Sequence, residues 1–258
     1  MAFDNQGNLY GNAAGGDING GGSIFKLAPV SHGRWKLSVV HRFSTTAAVG
    51  FGPSAPVMDG KGNFYGTTLV GGTFGYGGVF NLTSDSKGWH LSVLHIFGSS
   101  SNDGLTPSSL ILDKHGDLYG TTAYGGTFAG VVFKLTRGSG GQWTESILYD
   151  FKDRQDGGYP LGGLLFDKAG KLLGATAGGG GGNCLGYCGV VFQLTPTSQG
   201  GWKESVLHEF IRFEDGQFPD SVLVDSAGNL YGTTLEGGGT QCPEAGAGCG
   251  VVYELMRK

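Results

Sequence analysis

The sequence predicts an all-β fold, a five-bladed β-propeller of four-stranded antiparallel blades whose last blade lacks its outer strand. One unit of roughly 54 residues recurs five times along the chain. The first four units contain four short runs rich in β-branched and aromatic residues, here named strands A to D, and the fifth contains only A to C. No window has a helical period. Four-stranded antiparallel sheets repeated around an axis form a propeller.

The repeat is clearest in a tight-turn segment that joins strand A to strand B. It starts at an aspartate that is followed three residues later by glycine. The five copies start at Asp4, Asp59, Asp113, Asp167 and Asp225, in steps of 55, 54, 54 and 58 residues. Aspartate can accept hydrogen bonds from its own turn and glycine tolerates positive φ, so each segment predicts a hairpin. We therefore expect a structural role for these aspartates.

Strand C follows a glycine-rich loop in every unit, and strand D follows strand C in the first four units. Strand D begins at a tryptophan, at positions Trp35, Trp89, Trp143 and Trp202. One such aromatic residue per unit is expected to pack between neighbouring blades. Three histidines share one position in strand D and are interpreted as packing or edge residues: His41, His95 and His208.

The domain prediction is a single propeller covering residues 1–258. Its repeat units are about 1–53, 54–107, 108–160, 161–219 and 220–258. The chain has 53 glycines and 8 prolines, a fraction that would suggest disorder in an aperiodic sequence. Because the glycines recur with the repeat, they are expected to form turns.

Charge and hydropathy exclude several classes of partner. The formal net charge is −4, and no run of basic residues is longer than two, so no nucleic-acid partner is expected. No segment has the length and hydropathy of a membrane helix, and the first residues do not resemble a signal peptide. We expect a soluble monomer, without membrane insertion, that is a piece of a longer chain or has lost its export signal.

The four cysteines lie in two B-to-C loops. Their even number and pairwise placement predict two local disulfides, Cys184–Cys188 and Cys242–Cys249, formed in an oxidising compartment. Free thiols are one alternative. A zinc site made by all four thiolates is another, although the spacing of the cysteines matches zinc sites poorly.

Candidate ligand contacts lie where the repeat varies. Because strand direction alternates, the B-to-C loops and the D-to-A crossovers share one face, and three crossovers carry Asp-Gly. Predicted ligand-binding residues are Asp103, Asp156, Asp215, Asp220, Ser54 and Ser108. The first three could form an acidic ring at the channel mouth, with Ca²⁺ as the candidate cofactor. The alternative is that Asp-Gly is only a turn signal reused by the repeat.

The full motif of the unit supports a family resemblance. Its consensus reads D-x-x-G-N-L-Y-G-T-T, a Gly-Gly loop, G-V-V-F-x-L-T and then W-x-x-S-V-L-H-x-F. This resembles the GloVer tandem repeat of exported bacterial proteins with interchangeable surface anchors. The resemblance implies an extracellular or envelope-associated protein. It supplies no catalytic residues, and the signal peptide and anchor of that family are absent from this sequence.

Three functions remain open at this stage. The first is a rigid module that binds a glycan, a small molecule or a surface protein through variable loops on one face. The second is a metal-dependent hydrolase of the lactone, ester or phosphotriester class with its site at the mouth of the central channel, an analogy from fold alone. The third is a structural repeat of a longer surface protein. Common nucleophile, zinc-protease and nucleotide-binding motifs are absent from the sequence, so catalytic residues stay unassigned.

Overall fold

The fold is an all-β, five-bladed β-propeller of antiparallel sheets, as the sequence predicts. The computed structural model describes residues 1–15, 20–152, 156–181, 188–211, 214–238 and 249–256. Within these ranges the only helical element is a 3₁₀ turn at Ser31–Gly33. A helix long and apolar enough to cross a membrane does not occur in this part of the chain.

The chain packs as two compact units. One unit contains Met1–Tyr119 with Lys134–Ser146, and the other contains Gly120–Phe133 with Ile147–Lys258. That residues 1–258 behave as a single domain stays a prediction.

The first two blades each form one antiparallel sheet. The first blade contains β1 (Ala2–Phe3), β2 (Leu9–Ala13), β3 (Gly20–Val30) and β4 (Arg34–Ser44). The second contains β5 (Phe51–Pro53), β6 (Val57–Met58), β7 (Phe64–Val70), β8 (Gly78–Asp85) and β9 (Gly88–Ile96). Strand A of the second blade is split, because β5 and β6 both pair with β7.

The third and fourth blades repeat this order. The third contains β10 (Gly104–Leu112), β11 (Leu118–Gly125), β12 (Val131–Arg137) and β13 (Trp143–Asp150). The fourth contains β14 (Leu165–Phe166), β15 (Leu172–Thr176), β16 (Val190–Pro196) and β17 (Trp202–Glu209).

The fifth blade has no strand D among the described residues, as predicted. Its strands are β18 (Gln217–Pro219), β19 (Leu223–Val224), β20 (Leu230–Glu236) and β21 (Val252–Leu255). Both pieces of strand A, β18 and β19, pair with β20, and β21 pairs with β20 on its other side. The sheet therefore contains strands A, B and C.

The turn aspartates have the structural role expected from the sequence. In the second blade, Asp59 accepts hydrogen bonds from the backbone N–H groups of Lys61 (2.8 Å) and Asn63 (2.9 Å). The Asn63 side chain donates a third at 2.8 Å. Asp4, Asp113, Asp167 and Asp225 accept equivalent backbone bonds. These bonds fix each A-to-B hairpin.

Large aromatic rings and glycines interlock in the sheets. Phe80 and Phe192, at the same position of strand C in the second and fourth blades, are fully buried. A Cβ atom at Gly66 would lie 2.6 Å from the Phe80 ring, and one at Gly174 would lie 2.6 Å from the Phe192 ring. Carbon atoms that are not bonded to each other do not approach so closely. The glycine of the N-L-Y-G segment is thus required by packing. The expectation for tryptophan is wrong at Trp35, whose exposed fraction is 49%.

Side-chain hydrogen bonds tie strand B of one blade to strand A of the next. Thr67 donates to the carbonyl oxygen of Ser108 at 2.7 Å, and Thr121 donates to that of Gly162 at 3.2 Å. Asn12 donates in the same way to Pro53 at 2.8 Å. These bonds place the crossovers and the starts of strand A, where the candidate ligand contacts lie.

Candidate functional site

The carboxylate of Asp103 caps the crossover that follows β9. Its Oδ2 accepts hydrogen bonds from the backbone N–H (2.9 Å) and the hydroxyl (3.0 Å) of Ser99, and His95 Nε2 lies 3.5 Å from Oδ1. Only 1% of the side chain is exposed. Although burial opposes ionisation, the bonds from His95 and Ser99 lower the pKa of Asp103 below its usual value. Asp103 is therefore a buried anion.

The other two crossover aspartates have equivalent partners in their own blades. Asp156 accepts a hydrogen bond from the Tyr149 hydroxyl at 2.8 Å. Asp215 Oδ2 lies 2.6 Å from His208 Nε2, and its Oδ1 accepts a bond from the backbone N–H of Ile211 at 2.6 Å. Each aspartate thus joins its crossover to strand D of the same blade. Their predicted role as ligands of one shared metal stays a prediction.

A partly buried acid completes the cluster around Asp103. Glu145 Oε2, from strand D of the third blade, lies 3.6 Å from His95 Nε2, while Glu145 Oε1 is buried without a hydrogen-bond partner. Burial raises the pKa of Glu145 to about 7; the charge of Asp103 acts in the same direction and that of His95 opposes it. The neutral, protonated form of this carboxyl group is therefore favoured far more than in an exposed glutamate.

The same arrangement recurs one blade later. Glu204 is at the equivalent position of β17, its Oε1 also lacks a partner, and burial with repulsion from Asp156 raises its pKa to about 7. In the second blade this position is Leu91, and the preceding crossover, residues 45–53, contains no acidic residue. Glutamate thus occurs where the preceding blade supplies a crossover aspartate.

The cluster of His95, Asp103 and Glu145 can share protons, or it can hold a cation when Glu145 is ionised. Within the described ranges it is the one set of three or more potential ligand residues whose ligating atoms all lie within 4.8 Å of one another. One ring nitrogen with two carboxylates suits Zn²⁺ or a transition metal better than Ca²⁺, which takes six to eight oxygens.

The strand-D histidines, interpreted from the sequence as packing residues, do pack against aromatic rings. Two of them, His95 and His208, also contact a crossover aspartate. The rings of His95 and His208 lie edge-on to Phe97 and Phe210, with centroids 4.6 and 4.8 Å apart. Their contacts with the crossover aspartates were missed. Asp103 follows His95 by eight residues, and Asp215 follows His208 by seven. This similar separation is the feature of the sequence from which the contacts could have been predicted.

The remaining predicted contacts belong largely to the framework. Ser54 Oγ accepts a hydrogen bond from the Thr67 backbone N–H at 3.1 Å, and Ser108 accepts the Thr67 bond described above. Asp220 is exposed and accepts a 2.6 Å bond from the Thr233 hydroxyl. Ligand binding by these three residues stays a prediction.

The predicted disulfides lie partly outside the described residues. Cys184 and Cys242 are not described, so the pairings Cys184–Cys188 and Cys242–Cys249 stay predictions. The two described cysteines, Cys188 and Cys249, are not free thiols.

The residue before the crossover proline has a left-handed backbone in four successive blades. The second blade has Gly52 there, with φ of 69°. The next three have Thr106, Tyr159 and Phe218, with φ of 60°, 56° and 56°. Non-glycine residues pay roughly 1–3 kcal/mol for such conformations. The sequence gives no direct sign of this strain, because the pre-proline position usually favours extended backbone.

Backbone hydrogen bonds hold these strained residues against the B-to-C loop of the preceding blade. Thr106 donates its N–H to the carbonyl oxygen of Tyr76 at 3.0 Å, and Tyr159 donates to that of Ala129 at 2.8 Å. Phe218 makes the same bond to Cys188 at 3.0 Å. The backbone is therefore constant while the side chain changes from blade to blade.

Aromatic side chains gather around the second of these positions. The rings of Tyr159 and Tyr124 are edge-on with centroids 5.5 Å apart, and the Tyr159 ring covers Gly178. Tyr124, near the end of β11, is 51% exposed, and Phe128, in the B-to-C loop that follows, is 75% exposed. We call Tyr124, Phe128 and Tyr159 the aromatic site. In the other compact unit, Phe74 and Tyr76 are also partly exposed on a B-to-C loop.

Similar folds occur among solved structures, all at low sequence identity. A luciferin-regenerating enzyme has a TM-score of 0.57 and 14% identity, with 97% of this chain and 78% of that chain covered. A gluconolactonase from Xanthomonas campestris has a TM-score of 0.52 and 14% identity, with 89% and 66% covered. PhoX from Pseudomonas fluorescens, solved with vanadate, has a TM-score of 0.54 and 13% identity, with 90% and 57% covered. These similarities show the fold alone.

The family comparison is more specific. No curated protein matches the chain significantly. The family model described as the Gloeobacter/Verrucomicrobia repeat matches residues 1–245, nearly the whole sequence. The match agrees with the resemblance inferred from the repeated motif. The chain therefore belongs to the Gloeobacter/Verrucomicrobia repeat family.

Proposed function

We propose that this protein is a non-catalytic binding module at the bacterial cell surface that recognises a glycan through its crossovers and B-to-C loops. The observation that carries the proposal is the left-handed backbone of Thr106, Tyr159 and Phe218. Glycine, which Gly52 supplies in the second blade, would remove the strain at each position. Strained residues of this kind cluster at binding and catalytic sites.

The chemistry of the aromatic site suits a carbohydrate. Tyrosine offers a flat apolar ring and a hydroxyl at small cost in side-chain entropy, and exposed aromatic patches mark interaction sites. A sugar ring presents apolar C–H faces bordered by hydroxyl groups. Tyr124 and Tyr159 supply aromatic rings and hydroxyl groups of the matching kind.

The proposed location at the cell surface is supported by the family and by the state of the cysteines. The family resemblance implies export, and neither described cysteine is a free thiol. Disulfides persist mainly in oxidising compartments.

The test is a glycan array with wild-type protein and Tyr159→Gly. The variant should lose about tenfold or more in binding while its free energy of unfolding stays within about 1 kcal/mol, because relief of backbone strain offsets the lost ring contacts. Phe3→Gly is the control, since Phe3 is 65% exposed and lies in β1, next to an A-to-B turn.

Two outcomes would contradict the proposal. One is an array with no bound glycan. The other is a Tyr159→Gly variant that is strongly destabilised and binds as well as wild type, since Tyr159 would then serve only the fold.

A metal-dependent hydrolase is the second candidate, supported by the cluster of His95, Asp103 and Glu145. It ranks second because a catalytic metal needs a position open to substrate. The side chains of these residues are only 1% to 17% exposed. Elemental analysis of purified protein, followed by a lactone, ester and phosphotriester panel with and without chelator, tests it. Chelator-sensitive turnover that Glu145→Gln abolishes would favour the hydrolase over the binding module.

A further inference from the structure

A small polar pocket lies between the second and third blades, within one compact unit. Its volume is about 280 Å³. The second blade lines it with residues of β7, β8 and β9, and the third blade lines it at the turn between β12 and β13. The crossover between these two blades is at the opposite ends of the strands. None of the lining residues belongs to the aromatic site or to the cluster around Asp103.

In the blades on either side, a lysine of strand C covers the tyrosine of strand B. Lys26 pairs with Tyr10 across the first blade, and its Nζ lies 5.6 Å from the centroid of the Tyr10 ring. In the third blade, Lys134 Nζ lies 5.2 Å from the centroid of the Tyr119 ring. The space beside each of these tyrosines is therefore occupied by a lysine side chain.

The second blade has the shorter Asn81 at this position of strand C, where it pairs with Tyr65. The Asn81 side chain donates a hydrogen bond from Nδ2 to the carbonyl oxygen of Phe64 at 3.0 Å, which keeps it close to its own sheet. The space beside Tyr65 is left open for this reason, and it forms the pocket.

Two aromatic rings supply the apolar surface of the pocket. The Trp143 ring, from the third blade, is edge-on to the Tyr65 ring, with centroids 6.1 Å apart. Tyr65 is only 7% exposed, so its ring is held firmly by the surrounding sheet. Rigid rings of this kind can pack against the C–H face of a sugar at small entropic cost.

The polar groups around the rings suit an anion that also carries hydroxyl groups. Among the described residues, nothing forms an ion pair or side-chain hydrogen bond with the exposed Arg137 guanidinium or with the hydroxyls of Thr83 and Ser92. The Asn63 amide is fixed by donating to Asp59 at 2.8 Å, and its oxygen can accept a bond. The lining residues include no carboxylate. A guanidinium group binds a carboxylate through two parallel hydrogen bonds.

We infer that this pocket binds a hexuronic acid, which is a single pyranose ring that carries a carboxylate. The carboxylate pairs with Arg137, and the C–H face of the ring packs on Trp143. The sugar hydroxyls bond to the amides of Asn63 and Asn81. Pockets for drug-sized ligands start at about 300 Å³, so this volume suits one sugar ring better than a longer chain. The site is separate from the one proposed above for glycan recognition.

The probes are glucuronate and galacturonate, titrated into the purified chain by calorimetry. Glucose and galactose are the matched neutral sugars, and acetate tests the carboxylate alone. We expect saturable binding of at least one uronate, with binding of its neutral counterpart and of acetate at least tenfold weaker.

Matched variants locate the site. Arg137→Gln should weaken uronate binding at least tenfold, whereas Arg34→Gln, which removes the same charge from an exposed position at the start of β4, should leave it unchanged. Asn81→Lys introduces the residue of the first and third blades, so it should fill the pocket and weaken binding at least tenfold. Tyr159→Gly, which alters the aromatic site, should leave uronate binding unchanged.

Four results would each overturn the inference. They are no saturable binding of either uronate, equal binding of the neutral sugars, equal effects of Arg137→Gln and Arg34→Gln, and undiminished binding by Asn81→Lys. Urea unfolding checks that Asn81→Lys is folded, and the arginine pair decides the question if it is not. Loss of uronate binding in Tyr159→Gly would also overturn it, because the ligand would then occupy the aromatic site.

Discussion

Replacing Glu145 by glutamine should stabilise the protein at alkaline pH and change little at acidic pH. Burial raises the pKa of Glu145 from 4.5 to about 7. Between these values the folded state binds more protons than the unfolded state, so stability falls as pH rises. The stabilising effect of protonation is complete below the unfolded pKa and lost above the folded one. Glutamine keeps the shape and removes the ionisation.

The magnitude follows from the difference between the two pKa values. One pKa unit corresponds to about 1.4 kcal/mol, so ionising Glu145 in the folded state costs up to about 3 kcal/mol. The side chain is 17% exposed, so screening by solvent reduces this figure only modestly. The pKa of Asp103 is lowered, so its own effect on stability occurs at more acidic pH, as that group protonates.

The assay is urea unfolding of wild type and Glu145→Gln at several values between about pH 5 and pH 8. The advantage of the variant should grow with pH toward the upper estimate. Glu214→Gln is the control, because Glu214 is exposed and its replacement makes the same change in charge. A wild type that is the more stable protein at about pH 8 would refute the reasoning, since a bound cation or an unrecognised donor would then stabilise the ionised carboxylate.

Two further predictions concern the framework. Gly174→Ala should lower the free energy of unfolding, measured with urea, by about 1–3 kcal/mol, because the new methyl group meets an aromatic ring. The control Gly60→Ala adds its methyl group in open space and should cost much less. Equal effects of the two substitutions would contradict the packing argument. Asp59→Ala should lower the free energy of unfolding by about 1–2 kcal/mol at neutral pH. The pKa of Asp59 is lowered in the folded state, so the difference in free energy of unfolding between wild type and variant should shrink as the pH falls through that pKa. A difference that does not depend on pH would show that the carboxylate is not the stabilising group.

The fold could be predicted because its signals are local and repeated. The turn at Asp59 is specified within five residues, and five copies of such a turn in register set the number of blades. That the described residues of the fifth blade contain no strand D was also predicted from the repeat. The hydrogen bonds between blades could not be read in this way, since Thr67 and Ser108 belong to different units.

The partly buried glutamates were missed for a physical reason. In sequence, Glu145 and Glu204 are polar residues in an edge strand, and such positions are usually exposed. Their burial depends on the blade that packs against them. The co-occurrence of glutamate with an aspartate in the preceding crossover was visible, but its meaning required the contact with His95.

For the crossover aspartates, the sequence pattern was recognised but is compatible with two different roles. Asp-Gly predicts both a turn and a cation ligand, because a carboxylate oxygen serves either purpose. The structure provides the turn contacts, such as those from Ser99 to Asp103. A role in ligand binding depends on a partner molecule, which no sequence pattern in this chain specifies.

The hydrogen bonds that join strand B to the next strand A have a consequence for folding kinetics. Asn12 with Pro53, Thr67 with Ser108 and Thr121 with Gly162 are each separated by 41 residues. Loop-closure entropy depends on the length of the loop, so forming each of these boundaries carries nearly the same entropic cost. Folding can then begin at any of the three boundaries and extend to its neighbours, as in repeat proteins with nearest-neighbour coupling. The order in which the blades form is thereby set by the stability of their individual interfaces.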